Sequence, residues 1–266
     1  MKKIEFIGAS GVGKTTLFKE MLLFTENRIW KTPSEARIEI ARNMKFDNFK
    51  GLKLLRLLCL KLDILKNKHS NMAIDVLDKY MAQLESENIY KYNEIIDLML
   101  KALFNDYDFD AYRKAEFIKF YMDMLKKDII ALEFSDYNNF VVYEDGILHN
   151  SIGLDNEKYF NYMVHKNPGI LEIIIPKGVV FCQLSLEENI ARRNKRINSG
   201  FGTILENNYS QETILEICMR DLDEANSKVD LIKKYGVPIL NIDTSKPIKD
   251  NVKKVDSFIS NIQING

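Results

Sequence analysis

Residues 3–17, Lys-Ile-Glu-Phe-Ile-Gly-Ala-Ser-Gly-Val-Gly-Lys-Thr-Thr-Leu, constrain this chain more than any other stretch. The apolar run Ile4, Phe6 and Ile7 predicts a buried strand, and Leu17, Phe18, Met21 and Leu22 carry the spacing of a helix. Between them, residues 8–15 match G-x-x-x-x-G-K-[ST] without a mismatch. With average glycine usage, chance produces that pattern in a chain of this size on the order of one time in a hundred. Strand, glycine-rich loop and helix in that order form the context in which the pattern binds phosphate.

The residue types explain why. Gly8, Gly11 and Gly13 let the backbone take turns closed to other residues and come near phosphate oxygens. Ala9, Ser10, Val12 and Thr16 contribute further N–H groups to a concave nest, and the following helix adds the positive end of its dipole. Lys14 is expected to reach the β- and γ-phosphates of ATP, and the Thr15 hydroxyl to ligate Mg²⁺.

With 266 residues the chain is long enough for one large domain, or one domain with an inserted piece. Its 38 basic and 38 acidic side chains cancel, so no global field draws it to nucleic acid or an anionic membrane. Cys59, Cys182 and Cys218 are isolated and lack any CxxC or metal-ligand spacing, which fits a reduced cytoplasmic compartment. The N-terminus runs straight into a strand, so no signal peptide is expected, and no apolar run reaches membrane-spanning length.

Along the chain, Arg28-Ile29-Trp30 predicts a short second strand, followed by a loop in which Ser34 can cap a helix. From Ala36 to about Ser135 the pattern is helical throughout, with one glycine (Gly51) and no proline. Helices are expected near 35–45, 51–67, 71–87, 89–104 and 110–134, giving an all-helical insertion over 36–135. The leucine-rich segment 52–66 carries leucine on nearly all sides and is expected to be buried among its neighbours, as are Phe117, Phe120 and Tyr121. Alternation then resumes. Strands are predicted at 140–143, 179–184 and 237–243, and helices after Ser185, over 211–235 and over 247–262. Near-continuous apolar strands separated by helices predict a single α/β domain with a parallel sheet of about five strands covered on both faces, and with the glycine-rich loop this layout resembles the three-layer P-loop NTPase fold.

Four segments together resemble the P-loop kinases of small metabolites, the nucleoside and nucleoside-monophosphate kinase superfamily with its thymidylate kinase-like members. They are GASGVGKTT, the strand ending VVYEDG, the strand and helix VVFCQLSLEENIARRNKR, and the closing VPILNIDTSKPIKDNVKKVDSFI. The likeness covers residues 1–30 and 138–262 and leaves the helical block largely unmatched. It departs in one place: those kinases usually carry arginine beside the acid after the third strand, whereas Asp145 is followed by Gly146. In those kinases that arginine grips the acceptor's phosphate or orients its reactive end, so a sugar, lipid precursor or other hydroxyl compound is as plausible an acceptor here as a nucleoside monophosphate.

The resemblance implies an ATP- and Mg²⁺-dependent phosphotransferase acting on a hydroxyl or phosphate of a small metabolite. Glu144 and Asp145 sit where ligands bind in open α/β sheets and are expected to hold Mg²⁺ through water or take the acceptor's proton, Asp145 foremost. A lid over 190–210, hinged at Gly200 and Gly202, would bring Arg192, Arg193 and Arg196 over the phosphates; a solvated helix face is the plainer alternative. Glu35 stands where related nucleoside kinases place an acceptor-activating acid, and equally where a first-turn acid favours the helix dipole. Arg37 and Arg42 could bind an anionic acceptor; His149, four residues past Asp145, could reach the cleft, and a structural role is the expectation set first. The expected partners are a small-molecule acceptor and no nucleic acid, with room left for a homodimer. The competing class is a nucleotide-dependent ATPase or switch whose helical block binds a protein. A polynucleotide 5′-kinase is disfavoured by the neutral charge balance.

Overall fold

The structure, a computed structural model, describes residues 2–25, 28–65, 68–105, 109–135, 137–200 and 211–265. Five strands, β1 (Lys2–Ile7), β2 (Trp30–Lys31), β3 (Phe140–Tyr143), β4 (Gly178–Gln183) and β5 (Ile239–Asp243), form one sheet in the order β2-β3-β1-β4-β5. Every pairing is parallel, with Ile4 opposite Val142 on one side of β1 and Gly178 on the other. Parallel neighbours need crossovers, and helices supply all of them.

The period-two alternation of the strands sorts their side chains onto two faces. Ile4, Phe6, Val142, Val180 and Ile242 pack with Leu17 and Met21 of α1 (Lys14–Phe24) and Val255 and Ile259 of the closing helix (Ile248–Asn265). Ile7, Val141, Tyr143, Val179 and Phe181 join a larger core on the opposite face, built from helices that precede β3 and others that follow it. Burial on both faces is why these strands read as continuous apolar runs. Lys3 and Glu5 are the exceptions on that second face: both are buried, Lys3 beside Glu133 and Glu5 at the N-terminus of a short helix.

Between β2 and β3 lie α2 (Pro33–Asn43), α3 (Gly51–Lys61), α4 (His69–Asn88), α5 (Asn93–Asn105) and α6 (Ala111–Met124), then a widened π-type turn Leu125–Ile130 and α7 (Ala131–Glu133). Helices 2–4 share a small core of Ala41, Leu57, Leu60, Ala73 and Leu77. Three expectations are corrected here. The cap of α2 is Thr32, one residue before Pro33, in a reciprocal capping box with Glu35, so Ser34 lies inside the helix. Helix α3 ends at Lys61 and buries one face only: Leu57 and Leu60 are covered, whereas Leu52, Leu55 and Leu62 are more than half exposed. Similarly, Tyr121 is buried and bonded to Ser151, but Phe120 faces outward.

After β3 come α8 (Ile147–Asn150), α9 (Glu157–Lys166) and α10 (Ile170–Ile174); none of these three is evident from the apolar spacing. Helix α11 (Leu186–Asn198) is capped by Ser185 as expected, and α12 (Gln211–Lys233) and α13 (Ile248–Asn265) complete the chain. Residues 201–210 of the expected lid segment, with Gly202, lie outside the described residues. No helix among the described residues is long and apolar enough to cross a membrane.

Candidate functional site

The glycine-rich loop joins the carboxyl end of β1, the central strand, to α1. Gly13 at the N-cap of α1 has φ +106°, and a Cβ there would meet Arg192 Nη1 at 3.0 Å. Gly8 turns the chain with φ +152°, and a Cβ there would lie 2.5 Å from the Cys182 carbonyl oxygen on β4. Both positions therefore require glycine on grounds of conformation and space together. Lys14 is buried inside the loop, its Nζ donating to the Gly8 carbonyl at 2.8 Å and the Ala9 carbonyl at 3.3 Å. Burial lowers its pKa from the ordinary lysine value, and the nearby Asp145 carboxylate works in the opposite direction.

Two acids stand beside that ammonium, at the end of the neighbouring strand β3. Glu144 is raised above the usual carboxylate range, chiefly by burial, while a hydrogen bond from the Thr15 side chain pulls it down. Asp145 is also raised by burial, with Lys14 opposing. Its Oδ1 lies 3.3 Å from His149 Nε2. Burial, aided by the charges of Lys14 and Lys228, holds His149 well below the usual histidine range, so the ring is neutral near pH 7. His149, expected to be structural, thus lies in the site.

Helix α11 closes the other flank, and its arginines all turn to the loop. Arg192 Nη1 donates to the Val12 carbonyl and Nη2 to the Thr244 carbonyl, each at 3.0 Å. Arg193 Nε donates to the Ser10 carbonyl at 3.0 Å while its other end pairs with Asp221. Arg196 Nη2 sits 3.4 Å from Ser10 Oγ. Arg192 and Arg196 line the cleft, whereas Arg193 is buried behind the loop and braces it. Asn189 and Thr244, neither of them singled out from the sequence, add bonds to the same backbone: Asn189 Nδ2 to Ser10 O at 3.0 Å and Thr244 Oγ1 to Val12 O at 2.6 Å. Thr244 directly follows the last apolar strand, and that position is the only sequence signal it carries.

The cleft so enclosed has a volume of about 730 Å³ and runs from Thr244, Lys246 and Asn251, past the loop, Thr15 and Thr16, to Asp145, His149 and Asn150. Glu35 is not part of it. Its carboxylate is held by Arg28 at 2.6 and 3.1 Å and by the Thr32 N–H, and it lines a separate cavity with Arg42, Asp63 and His69. Arg42 is engaged there by Asp63 and the Leu60 carbonyl.

The absence of a side chain after Asp145 has a packing cause. A Cβ on Gly146 would lie 2.2 Å from the Glu5 carboxyl carbon. Glu5 is 1% exposed, accepts the Leu148 N–H at 2.9 Å, and its pKa is pushed up to about 7 by burial. A lone acid three residues ahead of the glycine loop, set between the apolar Ile4 and Phe6, is the signal that sequence inspection passed over. Neither the protein-family models nor the curated proteins compared with this chain give a match.

Proposed function

We propose that this protein is a P-loop kinase: a phosphotransferase moving the γ-phosphate of ATP to a hydroxyl or phosphate of a small metabolite. The single observation that carries this is the buried Lys14 ammonium turned into a glycine-lined bowl, with Thr15, Glu144 and Asp145 beside it. Such a bowl suits a polyphosphate: its donors converge, its cation donates among the described residues to two carbonyls that an anion would outcompete, and a helix N-terminus backs it.

The donor set also fits Mg²⁺, a hard cation that takes hydroxyl and carboxylate oxygens and shares the phosphate. Thr15 and Asp145 would hold it, and when bound it would neutralise charge on the β- and γ-phosphates. The backbone of residues 8–16 with Lys14 would fix the polyphosphate, and Arg192 and Arg196 from α11 would face the group in transit. Asp145, its pKa raised above the usual carboxylate value by burial, would accept the acceptor's proton or orient its hydroxyl. On this view the helices between β2 and β3 are an insertion into the alternating fold, and the expectation that they form the acceptor pocket is not met among the described residues, since none of them lines the cleft. Catalysis then rests on positioning and charge neutralisation, with no covalent enzyme intermediate.

The test is calorimetric titration of the purified protein with Mg·ATP, followed by ATP turnover with and without a metabolite pool. Binding together with stimulation by a small compound supports the kinase. Stimulation by a protein alone supports the ATPase or switch, and no nucleotide binding by well-folded material overturns both.

A further inference from the structure

We infer that this protein docks on an anionic phospholipid surface through the outer face of α3 and the turn that follows it. The inference is independent of the kinase proposal and uses no residue of the cleft.

One side of α3 is covered and the other is not. At 3.6 residues per turn, Leu52, Leu55, Leu58 and Leu62 fall within about a third of the circumference, opposite the buried Leu57 and Leu60. Two cations of the helix turn inward instead: Lys53 pairs with Asp78 and Arg56 with Asp75, both on α4. The outward face is left apolar, the inverse of an ordinary solvated helix. The turn after it, with φ +56° at Asp63 and +59° at Leu65, exposes Ile64 and Leu65 as well. Leu52, Leu55, Leu62 and Leu65 are each more than half exposed, and Leu58 and Ile64 more than a third. Scattered single leucines on a surface are ordinary, but a continuous apolar ridge marks a contact with something else.

The charges around the ridge decide what covers it. Lys50 directly precedes α3, Lys68 follows the turn, and Lys61 lies over the Phe46 ring at 4.5 Å, next to Lys45. Lys45, Lys50 and Lys68 are exposed, and none of the four lysines has a carboxylate partner among the described residues. The acids between residues 45 and 78 are otherwise engaged: Asp63 by Arg42, Asp75 by Arg56 and Asp78 by Lys53. Asp47 alone has no ion pair among the described residues. Four unpaired cations against one acid make a local positive field on a chain whose total charge is zero. A second copy seated on the same ridge would bring two such rims together, and like charges would repel. An anionic leaflet suits both parts, with the leucines among the acyl chains and the ammonium groups at the lipid phosphates. No described helix is long and apolar enough to cross the bilayer, so α3 would lie in the plane of the interface.

The experiment co-sediments the full chain with vesicles of phosphatidylcholine alone and of phosphatidylcholine with equimolar phosphatidylglycerol, at low and at high salt. The expected result is binding at least tenfold tighter to the anionic vesicles, weakening as salt screens the attraction. Leu55→Ser with Leu62→Ser, and separately Lys50→Glu with Lys68→Glu, should each weaken that binding at least tenfold. Circular dichroism should stay parental, since all four side chains are exposed. Equal binding to both kinds of vesicle, or none to either, overturns the inference without recourse to a variant. Anionic binding that either variant leaves unchanged overturns it too. Sedimentation equilibrium without lipid reads the alternative: a dimer that the leucine variant dissociates gives the ridge to a second copy and overturns lipid docking.

Discussion

Glu5, on the first strand, accepts a hydrogen bond from the Leu148 backbone N–H, 2.9 Å away and 143 residues further along the chain. The same carboxyl group occupies the space beside Gly146, so one buried acid sets the path of the backbone between Asp145 and His149. Its ordinary pKa of 4.5 rises to about 7 in the fold, because burial penalises the charged form more than Lys3 and the backbone donors favour it.

The pH dependence follows from that shift. Between pH 4.5 and about 7 the folded state holds a proton on Glu5 that the unfolded state has released, so this group's contribution to stability falls as pH rises through that window. The loss is on the order of 3 kcal/mol by pH 8. Glu5→Gln should flatten the slope and equal or exceed the parent in stability at pH 8. Denaturant unfolding of both proteins at pH 5, 6, 7 and 8 measures this; parallel profiles would refute it.

Lys14→Ala removes the ammonium that donates to Gly8 and Ala9 at the floor of the loop. Transfer should drop by about 10³-fold, since a preorganised charge facing the developing anion carries an effect of that size. Far-ultraviolet circular dichroism should stay unchanged. A variant that phosphorylates its acceptor at the parental rate ends the phosphate-site assignment.

The neighbouring arginines should separate by phenotype. Arg193 is buried and paired with Asp221, so Arg193→Met leaves that carboxylate, among the described residues, only the more distant Arg220, at 3.9 Å, removes the bond to the Ser10 carbonyl, and should cost about 3 kcal/mol of stability. Arg196 lines the cleft, and Arg196→Ala should reduce kcat at least tenfold while shifting stability by no more than about 1 kcal/mol. Thermal unfolding beside steady-state kinetics distinguishes them; equal losses of stability would show that both arginines are braces.

Glu35 serves the capping box of α2 and pairs with Arg28 in a cavity apart from the cleft. Glu35→Ala should therefore lower stability by about 1 kcal/mol, the usual size of a lost cap, and leave kcat within twofold. A hundredfold fall in kcat at unchanged stability would restore it as the acceptor's base.

Much of this protein is written locally. The glycine loop, the acid pair ending β3, the Ser185 cap and the apolar strands all depend on short-range conformational preference and on periodicity of two or 3.6 residues, which neighbouring residues fully specify. So the α/β class, the five parallel strands and the position of Lys14 follow from residue order alone. Strand order, the burial of one face of α3 rather than all of it, the turn of Arg193 into the core and the exile of Glu35 to another cavity did not. Each depends on which side chain fills a shared volume, and those volumes are formed by separate elements: residues 41–77 around α3, residues 31–69 around Glu35, and Ser10 with Asp221 around Arg193. Gly146 shows the division most plainly. Its identity is visible in the sequence, but its cause is the Glu5 carboxyl packed against it, and only the folded chain brings the two together.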